Sequence, residues 1–462
     1  MIQLRKAQLG KICVALEIIV LTAVLVLVLN QPTWSCTIAV VSAQASADGR
    51  PILWKNSDMP EYWHQQVKYF RGENKVGGGY YLLYHDNHFL WAKKMTITPQ
   101  AGVNRAGFAL MVAAVTDSNL LNETMNYNTR LLHDAVANCT SISDFEQYLN
   151  KWSDQHYQYA ISANYAAIDA QGGAALFEVH KGSKYSSGSS LQYKKYDANN
   201  GQVTDHRGKE LSPPQKSFIG FQLRTNANSF FPNNSGSERY MRAHELLTNL
   251  SSQTGRTNRL TARNVMQLVS KDVNGKQPAT VDDSNYSTTY CISRSQTRSG
   301  VVVEGVQAGE DQRLTVFWTA LGEPSISVYV PTIVGAEDVA PYLYQDSIDS
   351  KADKSDLCVL NALEDSRETY RKLLYSSNRG SIWLGPYDST INKLELAQVQ
   401  KWSFVIEDTV ISRTEEYLDL LRSNPELITK ENLRSFQNYC ARYVYENYAA
   451  GSAEETLWNY EW

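Results

Sequence analysis

The sequence predicts a layered α+β fold, and three observations point to it. Segments with β character cluster from residue 36 to about residue 116, helical segments follow, and strands return before residue 335. The strands are separated by turns rather than by regularly alternating helices, which is unlike the βαβ order of a parallel sheet. The composition, with 43% hydrophobic and 20% charged residues, is that of a folded globular chain.

The first strands form a predicted hairpin. The segment CTIAVVSA (36–43) is rich in β-branched residues, and PILWKNSD (51–58) returns after the Asp48-Gly49 pair, which favours a tight turn. Strand character continues beyond this hairpin, and GVNRAGFALMVAAVT (102–116) predicts a turn followed by a strand.

Helices and further strands follow in the same region. Helical spacing occurs in NTRLLHDAVANC and SDFEQYLNKW, and Ser143 with Glu146 predicts a capping box at the start of the second helix. A hairpin is predicted over 164–180 around a pair of glycines. The segments SERYMRAHELLTNL and ARNVMQLV predict two more helices, and GVVVEGV, LTVFWTAL and SISVYVPTIV predict the last strands.

The pattern changes near residue 336 and becomes mostly helical. Three segments carry the helical spacing, over 358–375, 394–422 and 430–448. We therefore expect one domain over residues 36–335 and a helical C-terminal region over 336–462.

Residues 1–35 differ from the rest of the chain. Three basic residues precede an apolar run over 12–29, and Thr33 and Ser35 stand at the −3 and −1 positions before Cys36. This order is typical of a secretory signal peptide, so we expect export to the periplasm or the cell exterior, with only transient membrane contact through the leader. An uncleaved membrane anchor and a lipoprotein attachment at Cys36 stay open as alternatives.

Charge and cysteine content narrow the possible functions. The pI is about 6.1 and no dense run of Lys and Arg occurs, which argues against a nucleic-acid partner. No CxxC pair is present and the eight histidines are scattered, so we expect neither a metal nor another cofactor. Of the six cysteines, Cys13 leaves with the leader. The five that remain cannot all pair with one another, and Cys36 is the candidate for the unpaired one.

A cysteine freed at position 36 would carry a base within the same residue. The nucleophile is the thiolate, and the α-amino group released by cleavage has a reference pKa of about 7.7–8.0, which suits proton transfer near neutral pH. Nucleophiles paired with an N-terminal amine are a known arrangement. A structural disulfide and a lipid attachment remain the alternatives on position alone.

Five short motifs in order resemble the N-terminal nucleophile (Ntn) hydrolases. The closest similarity is to choloylglycine hydrolases and to the isopenicillin-N acyltransferase or C45 peptidase relatives. The motifs are CTIAVV…ADGRPILWKNSD (36–58), GVNRAGFAL (102–110), NYAAIDAQGGAALFEV (164–179), RTNANSF (224–230) and SERYMRA (237–243). The resemblance implies a four-layer αββα sandwich, to which the C-terminal helices would be an extension.

The resemblance also implies roles for individual residues. Cys36 would be the nucleophile and, through its freed amine, the base. Asp58 in KNSD would hold that amine by a charge-assisted hydrogen bond. Lys55 occupies the place where bile-salt-type members have arginine, and it would place a positive charge beside the thiolate without a bidentate fork.

Three further positions match the oxyanion side of such a site. Asn226 in RTN would donate its side-chain amide to the oxyanion of the tetrahedral intermediate. A backbone N–H near Ala114 would be the second donor, at a place where some relatives have asparagine. Arg239 in SERY matches an arginine near the site of the family.

The sequence therefore predicts an exported cysteine hydrolase that cleaves linear amide C–N bonds through an acyl-thioester on Cys36. Its substrate would be a small-molecule or peptide amide. A dipeptidase of the related C69 type and an acyl-transferring relative are the alternatives among enzymes. A lipid-anchored, non-catalytic binding protein is the alternative of another class. The acyl and amine groups and the oligomeric state stay open.

Overall fold

The structure is a computed structural model in which Cys36 is the first described residue. The described residues are 36–59, 64–87, 96–115, 121–155, 160–182, 190–212, 218–230, 236–252, 260–275, 285–344, 371, 374–375 and 390–450. The predicted leader and nearly all of the helix predicted over 358–375 lie outside them.

Nearly all of the strands of the described chain lie between residues 36 and 333. In chain order they are β1 Thr37–Val41, β2 Ile52–Asp58, β3 His64–Phe70, β4 Tyr80–Asn87, β5 Thr96–Asn104, β6 Ala109–Ala114, β7 Ile161–Ile168, β8 Ala174–Lys181, β9 Gln192–Asp197, β10 Val203–Asp205, β11 Glu210–Leu211, β12 Phe221–Arg224, β13 Asn285–Ser287, β14 Thr297–Glu304, β15 Val316–Leu321, β16 Val330–Ile333 and β17 Thr390–Asn392.

The helices fall between the strand groups and at the C-terminal end. In chain order they are α1 Leu121–Asn138, α2 Ile142–Gln155, α3 Ser237–Ser252, the short α4 Ala262–Asn264, α5 Lys393–Ser423 and α6 Lys430–Ala450. The turn α4 continues directly into a π-helical segment over Val265–Ser270.

Two antiparallel sheets form the centre of the molecule. One has six strands in the order β12-β1-β2-β14-β15-β16, and the other has nine in the order β11-β10-β9-β8-β7-β6-β5-β4-β3. The strand carrying the residue after Cys36, β1, is flanked by β2 and β12, so it is an interior strand. Strands β13 and β17 form a separate two-stranded sheet.

The two large sheets pack against each other. Strands β1 and β2 contact β6 and β7 of the nine-stranded sheet, and side chains of both sheets share one buried core. Neighbouring residues of the nine-stranded sheet alternate between this core and a second one, because successive side chains of a strand point to opposite faces. Tyr81 and Met111 belong to the first core, whereas Leu82 and Leu110 belong to the second, which α1 and α2 complete.

The start of α2 differs from the predicted capping box. The structure places the cap two residues earlier: Ser141 Oγ accepts from the Asp144 N–H at 3.1 Å, and the Asp144 carboxylate accepts from the Thr140 N–H at 2.9 Å. The predicted pair of Ser143 and Glu146 was therefore wrong by two positions. The helix begins at Ile142, so Ser141 rather than Ser143 is the N-cap residue. Asp144 takes the position of the capping-box acid, and its carboxylate folds back onto the preceding turn.

The C-terminal helices cover the end of the six-stranded sheet. The Ile333 N–H of the edge strand β16 donates to Gln437 Oε1 of α6 at 3.0 Å, and the Tyr329 N–H donates to Glu407 Oε2 of α5 at 2.9 Å. Glu407 also forms a buried ion pair with Lys271, at 2.8 Å. The helices predicted over 394–422 and 430–448 are thus present, and they pack into the same core as the sheets.

Two findings concern the part of the chain that the structure describes. None of its helices combines the length and the apolar character needed to cross a membrane. All four of its cysteines are buried and none forms a disulfide: Cys36, Cys139, Cys291 and Cys440.

Candidate active site

The β1–β2 hairpin places three of the predicted site residues together. Cys36 directly precedes β1 and is 3% exposed. The antiparallel register pairs Ile38 with Lys55, so Lys55 lies two positions along the ladder from Cys36, on the neighbouring strand. Asp58 ends the same strand. The Asp48-Gly49 turn makes this register possible, since Gly49 adopts a positive φ of 75°.

Lys55 is fully buried between the two sheets. Its Nζ donates to Gln100 Oε1 at 2.9 Å and to the carbonyl oxygen of Val112, both in the nine-stranded sheet. Burial lowers the pKa of Lys55 below its ordinary value, while the neighbouring Cys36 thiol and the Asp58 carboxylate oppose that change. A cationic group that neighbours the nucleophile is therefore a lysine held by two neutral acceptors.

Asp58 is the acceptor for a cluster of donors. Its Oδ2 accepts from Arg239 Nη1 at 3.1 Å and from Arg294 Nε and Nη2 at 2.9 and 2.7 Å. Its Oδ1 accepts from Thr297 Oγ1 at 2.8 Å. Side-chain exposure is 2% for Asp58, 3% for Arg239 and 12% for Arg294, so one buried carboxylate faces two largely buried guanidinium groups.

Arg239 links the nucleophile strand to the predicted oxyanion residue. Its Nη1 also donates to Thr37 Oγ1 at 3.2 Å, and its Nη2 donates to Asn226 Oδ1 at 3.3 Å. Burial and then the charge of Arg294 lower the pKa of Arg239 to about 10, against the opposing effects of Asp58 and Cys36. Arg239 is still a cation at neutral pH, because that value remains well above 7.

The side chain of Asn226 contacts β6 of the nine-stranded sheet. With its Oδ1 turned toward Arg239, its Nδ2 donates to the Ala114 carbonyl oxygen at 2.7 Å. In the β6–β7 ladder the Val115 N–H donates to the Ser162 carbonyl, so the N–H and C=O of Ala114 point away from β7. The Asn226 amide and the Ala114 backbone therefore lie on one side of the site.

A narrow pocket opens beside the cysteine. It is lined by Cys36, Met59, Gln100, Val112, Ala114, Asn128 and Thr129. The amide of Asn128 is occupied by the backbone of Ser162, with Nδ2 donating at 2.9 Å and Oδ1 accepting at 3.1 Å. The pocket thus offers mainly apolar surface to a group bound next to the thiol.

The structure brings all the predicted site residues into one region. Lys55, Asp58, Arg239 and Asn226 are joined to Cys36 or to one another by the contacts above, and Ala114 lines the same pocket as Cys36. This set contains what acyl transfer needs: a thiol, a nearby cation, and amide donors beside the pocket. Among the described residues, no group of three His, Cys, Asp or Glu side chains could hold a metal ion.

Sequence reasoning missed three residues of this site. Arg294 and Thr297 bind the Asp58 carboxylate, and Gln100 accepts from Lys55. The available signal was the polar run SRSQTRS (293–299) immediately before the predicted strand GVVVEGV, because polar residues at the end of a buried strand often serve a site. Gln100 lies in TITPQ, within a stretch that the sequence identified only as strand.

No protein-family model matches the chain, and no curated protein matches it. Solved structures do. A Caenorhabditis elegans ortholog of N-acylethanolamine-hydrolyzing acid amidase is 13% identical, with a TM-score of 0.34 over 60% of this chain and 95% of that one. Two variants of the Clostridium perfringens conjugated bile acid hydrolase are 9% and 12% identical, with TM-scores of 0.29 and 0.32. They cover 62% and 69% of this chain, and 89% and 100% of their own.

Because these TM-scores lie below 0.5, the chemistry proposed below rests on the residues of this chain.

Proposed function

We propose that the protein is a cysteine hydrolase of linear amide C–N bonds, with Cys36 as its nucleophile. One observation carries the proposal: Cys36 and Ala114 line the same pocket, and the Ala114 carbonyl holds the amide of Asn226. A carbonyl carbon within reach of the thiol would therefore have its oxygen near amide donors. That geometry is the requirement for stabilising a tetrahedral intermediate.

The nucleophile needs a base, and cleavage between Ser35 and Cys36 supplies one. The freed α-amine takes the proton of the Cys36 thiol, and the thiolate then attacks the amide carbonyl to form a C–S bond. The Asp58 Oδ1, which accepts from Thr297, has a second lone pair with which it can hold the resulting ammonium. Lys55 adds a positive charge beside the thiolate.

The second half of the reaction returns the enzyme to its starting state. The negative oxygen of the intermediate is stabilised by the Asn226 amide and the Ala114 backbone N–H. The α-ammonium gives its proton to the leaving amine as the C–N bond breaks, which leaves an acyl-thioester on Cys36. The α-amine then takes a proton from water as the water oxygen attacks the thioester carbonyl. The C–S bond breaks, the carboxylic acid leaves, and the α-ammonium returns its proton to the Cys36 thiolate.

The pocket indicates the class of acyl group. Met59, Val112 and Ala114 supply apolar surface, and the polar atoms of Gln100 and Asn128 are engaged with neighbours. A charged acyl group would lose hydration there without gaining a partner. The acyl part of the substrate is therefore uncharged, short and apolar.

The wider organisation is part of the proposal. The two packed sheets, with α1 and α2 against the nine-stranded one, support the proposal of a four-layer αββα Ntn-hydrolase domain over residues 36–335, with residues 336–462 as a helical extension. The chain is exported, and residues 1–35 are removed on the way. A lipidated Cys36 would instead make it an anchored binding protein, since the thiol and the amine would both be blocked.

The test combines protein chemistry with activity. Full-length protein is expressed with its own leader, and the mature form is examined by N-terminal sequencing and intact mass. We expect an unmodified Cys36 at the N-terminus and hydrolysis of short-chain N-acyl amides. Cys36→Ala abolishes that hydrolysis, whereas Cys139→Ala, which alters a buried cysteine outside the pocket, leaves it intact. A mature chain with a diacylglyceryl group on Cys36 would refute the mechanism, as would activity that survives Cys36→Ala.

A further inference from the structure

The loop that carries Asn226 is closed at both ends by one carboxylate. Arg224, before Asn226, donates from Nε to Glu178 Oε1 at 2.6 Å. Ser229, after Asn226, donates from its backbone N–H to Glu178 Oε2 at 3.0 Å and also from its hydroxyl. Glu178 on β8 therefore fixes the two ends of the segment 224–229.

The middle of the same loop is held by a second residue. Asn164 Nδ2 donates to the carbonyl oxygens of Thr225 at 2.8 Å and Ala227 at 3.2 Å, the residues on either side of Asn226. Asn164 on β7 lies directly opposite Glu178 on β8 in the antiparallel register. Cross-strand partners present their side chains on the same face, so the two residues act on the loop as one unit.

Burial and charge make these contacts strong. Glu178 and Arg224 have side-chain exposures of only 2% and 4%. Burial alone would raise the pKa of Glu178, but Arg224 and the Ser229 donors lower it below its ordinary value, so the carboxylate is ionised. Hydrogen bonds to a buried carboxylate are shorter and stronger than neutral ones.

We propose that Asn164 and Glu178 are positioning residues that hold the Asn226 amide at the oxyanion site. The inference rests on the proposed cysteine hydrolase function and adds two residues, neither of which touches the substrate. Without them the loop still follows β12, but its backbone on either side of Asn226 is no longer held, so the Asn226 amide can shift despite its own contacts with Arg239 and Ala114. A displacement of about 1 Å in an oxyanion donor costs much of its effect on the transition state.

The first experiment separates acyl transfer from thiol reactivity, using the mature form of the full-length protein. Acylation is followed with p-nitrophenyl acetate: the Cys36 thiolate forms a C–S bond, p-nitrophenolate leaves, and water hydrolyses the thioester. Thiol reactivity is followed with iodoacetamide, which forms a C–S bond at a saturated carbon and has no oxyanion. For Glu178→Gln we expect kcat to fall at least about tenfold with little change in KM, while the alkylation rate stays within about twofold.

The matched control makes the same substitution in another ion pair. Glu146 forms an ion pair with Lys195 at 2.7 Å, with about a quarter of each side chain exposed, and neither residue contacts the Asn226 loop. Glu146→Gln is expected to leave both rates unchanged. Equal losses of acylation and alkylation in Glu178→Gln would overturn the proposal, because general loosening of the site affects both.

A double-mutant cycle tests whether the effect passes through Asn226. In an Asn226→Ala background, Glu178→Gln is expected to cause no further loss of acylation, because the positioned group is already gone. An independent loss of the same size in both backgrounds would overturn the proposal. Ser229→Ala gives a milder second variant if Glu178→Gln folds poorly, and Tyr196→Phe is its control, since Tyr196 donates to the same carboxylate at 3.0 Å from outside the loop.

The outcomes also separate this inference from the proposed function. If Cys36→Ala keeps the wild-type rate with p-nitrophenyl acetate, the cysteine mechanism itself is wrong. If Cys36→Ala is inactive but Glu178→Gln acylates at the wild-type rate, the mechanism stands and the positioning role is refuted.

Discussion

The Asp58 carboxylate allows a quantitative prediction about stability. It is 2% exposed and compensates two guanidinium groups that are 3% and 12% exposed. In Asp58→Asn the charge is lost, and an amide group that is itself a donor can stand where Oδ2 accepted three N–H bonds from Arg239 and Arg294. Removing one partner of a buried ion pair leaves an uncompensated charge and costs about 3–5 kcal/mol. We expect the free energy of unfolding to fall by that amount.

The control is a carboxylate equally buried but with a more exposed partner. Asp272 is 3% exposed and binds Arg242 through both oxygens, at 2.8 and 3.2 Å, but Arg242 is 23% exposed and also contacts Glu245. After Asp272→Asn the arginine keeps water and a second carboxylate, so we expect a loss of only about 1–2 kcal/mol.

Both losses are measured by urea unfolding at pH 7, followed by far-UV circular dichroism, with the wild type as reference. Thr297→Val removes one hydroxyl donor to Asp58 but keeps the carboxylate, so we expect the free energy of unfolding to fall by only about 1 kcal/mol. A loss below about 1 kcal/mol in Asp58→Asn, or an equal loss in Asp272→Asn, would show that the two guanidinium groups do not depend on Asp58 for compensation.

Three other predictions concern charge and shape. Lys55→Met removes the cation beside the thiol and should slow alkylation of Cys36 by iodoacetamide about tenfold at pH 7; an unchanged rate would remove Lys55 from the mechanism. Burial and the Asp48 charge raise the pKa of Glu304 to about 7, so the folded state binds more protons than the unfolded state between pH 4.5 and 7. That contribution to stability is complete below pH 4.5 and is lost as the pH rises through 7. The free energy of unfolding of Glu304→Gln, measured in urea relative to that of the wild type, should therefore rise by about 2 kcal/mol between pH 5 and pH 8. A difference between the two proteins that does not change with pH contradicts this prediction. Ala114→Leu narrows the pocket and should lower the rate of hydrolysis of p-nitrophenyl hexanoate at least about tenfold more than that of p-nitrophenyl acetate. Equal effects on the two esters would show that the acyl group does not bind in this pocket.

The parts of the site that local signals alone could predict lie in the β1–β2 hairpin, whereas Asn226, Arg239 and Ala114 could be predicted only from the resemblance of their motifs to a known family. The Asp48-Gly49 turn sets the register of β1 and β2, and that register brings Lys55 and Asp58 beside Cys36. Each of these steps depends on residues fewer than 25 positions apart, where turn chemistry and strand alternation suffice.

The remaining partners come together only through long-range pairing. Arg294 and Thr297 meet Asp58 because β14 pairs with β2, and Gln100 meets Lys55 because the two sheets pack face to face. No local pattern reports such contacts, since a polar residue before a strand looks the same whether it faces water or a buried carboxylate. The shifted cap of α2 is a smaller case, in which two serines two positions apart offer nearly equal signals.

The helices that cover β16 determine when the six-stranded sheet is completed during synthesis. The strand next to Cys36 leaves the ribosome early. The Tyr329 and Ile333 N–H groups at the far edge of its sheet gain their acceptors only after Glu407 and Gln437 have been synthesised. Until then the edge is open to pairing with other chains, and the sheet that positions the thiol is unfinished. A translation product that stops short of α6 therefore lacks the acceptor that Gln437 gives to Ile333, and its six-stranded sheet ends in an edge that another chain can pair with.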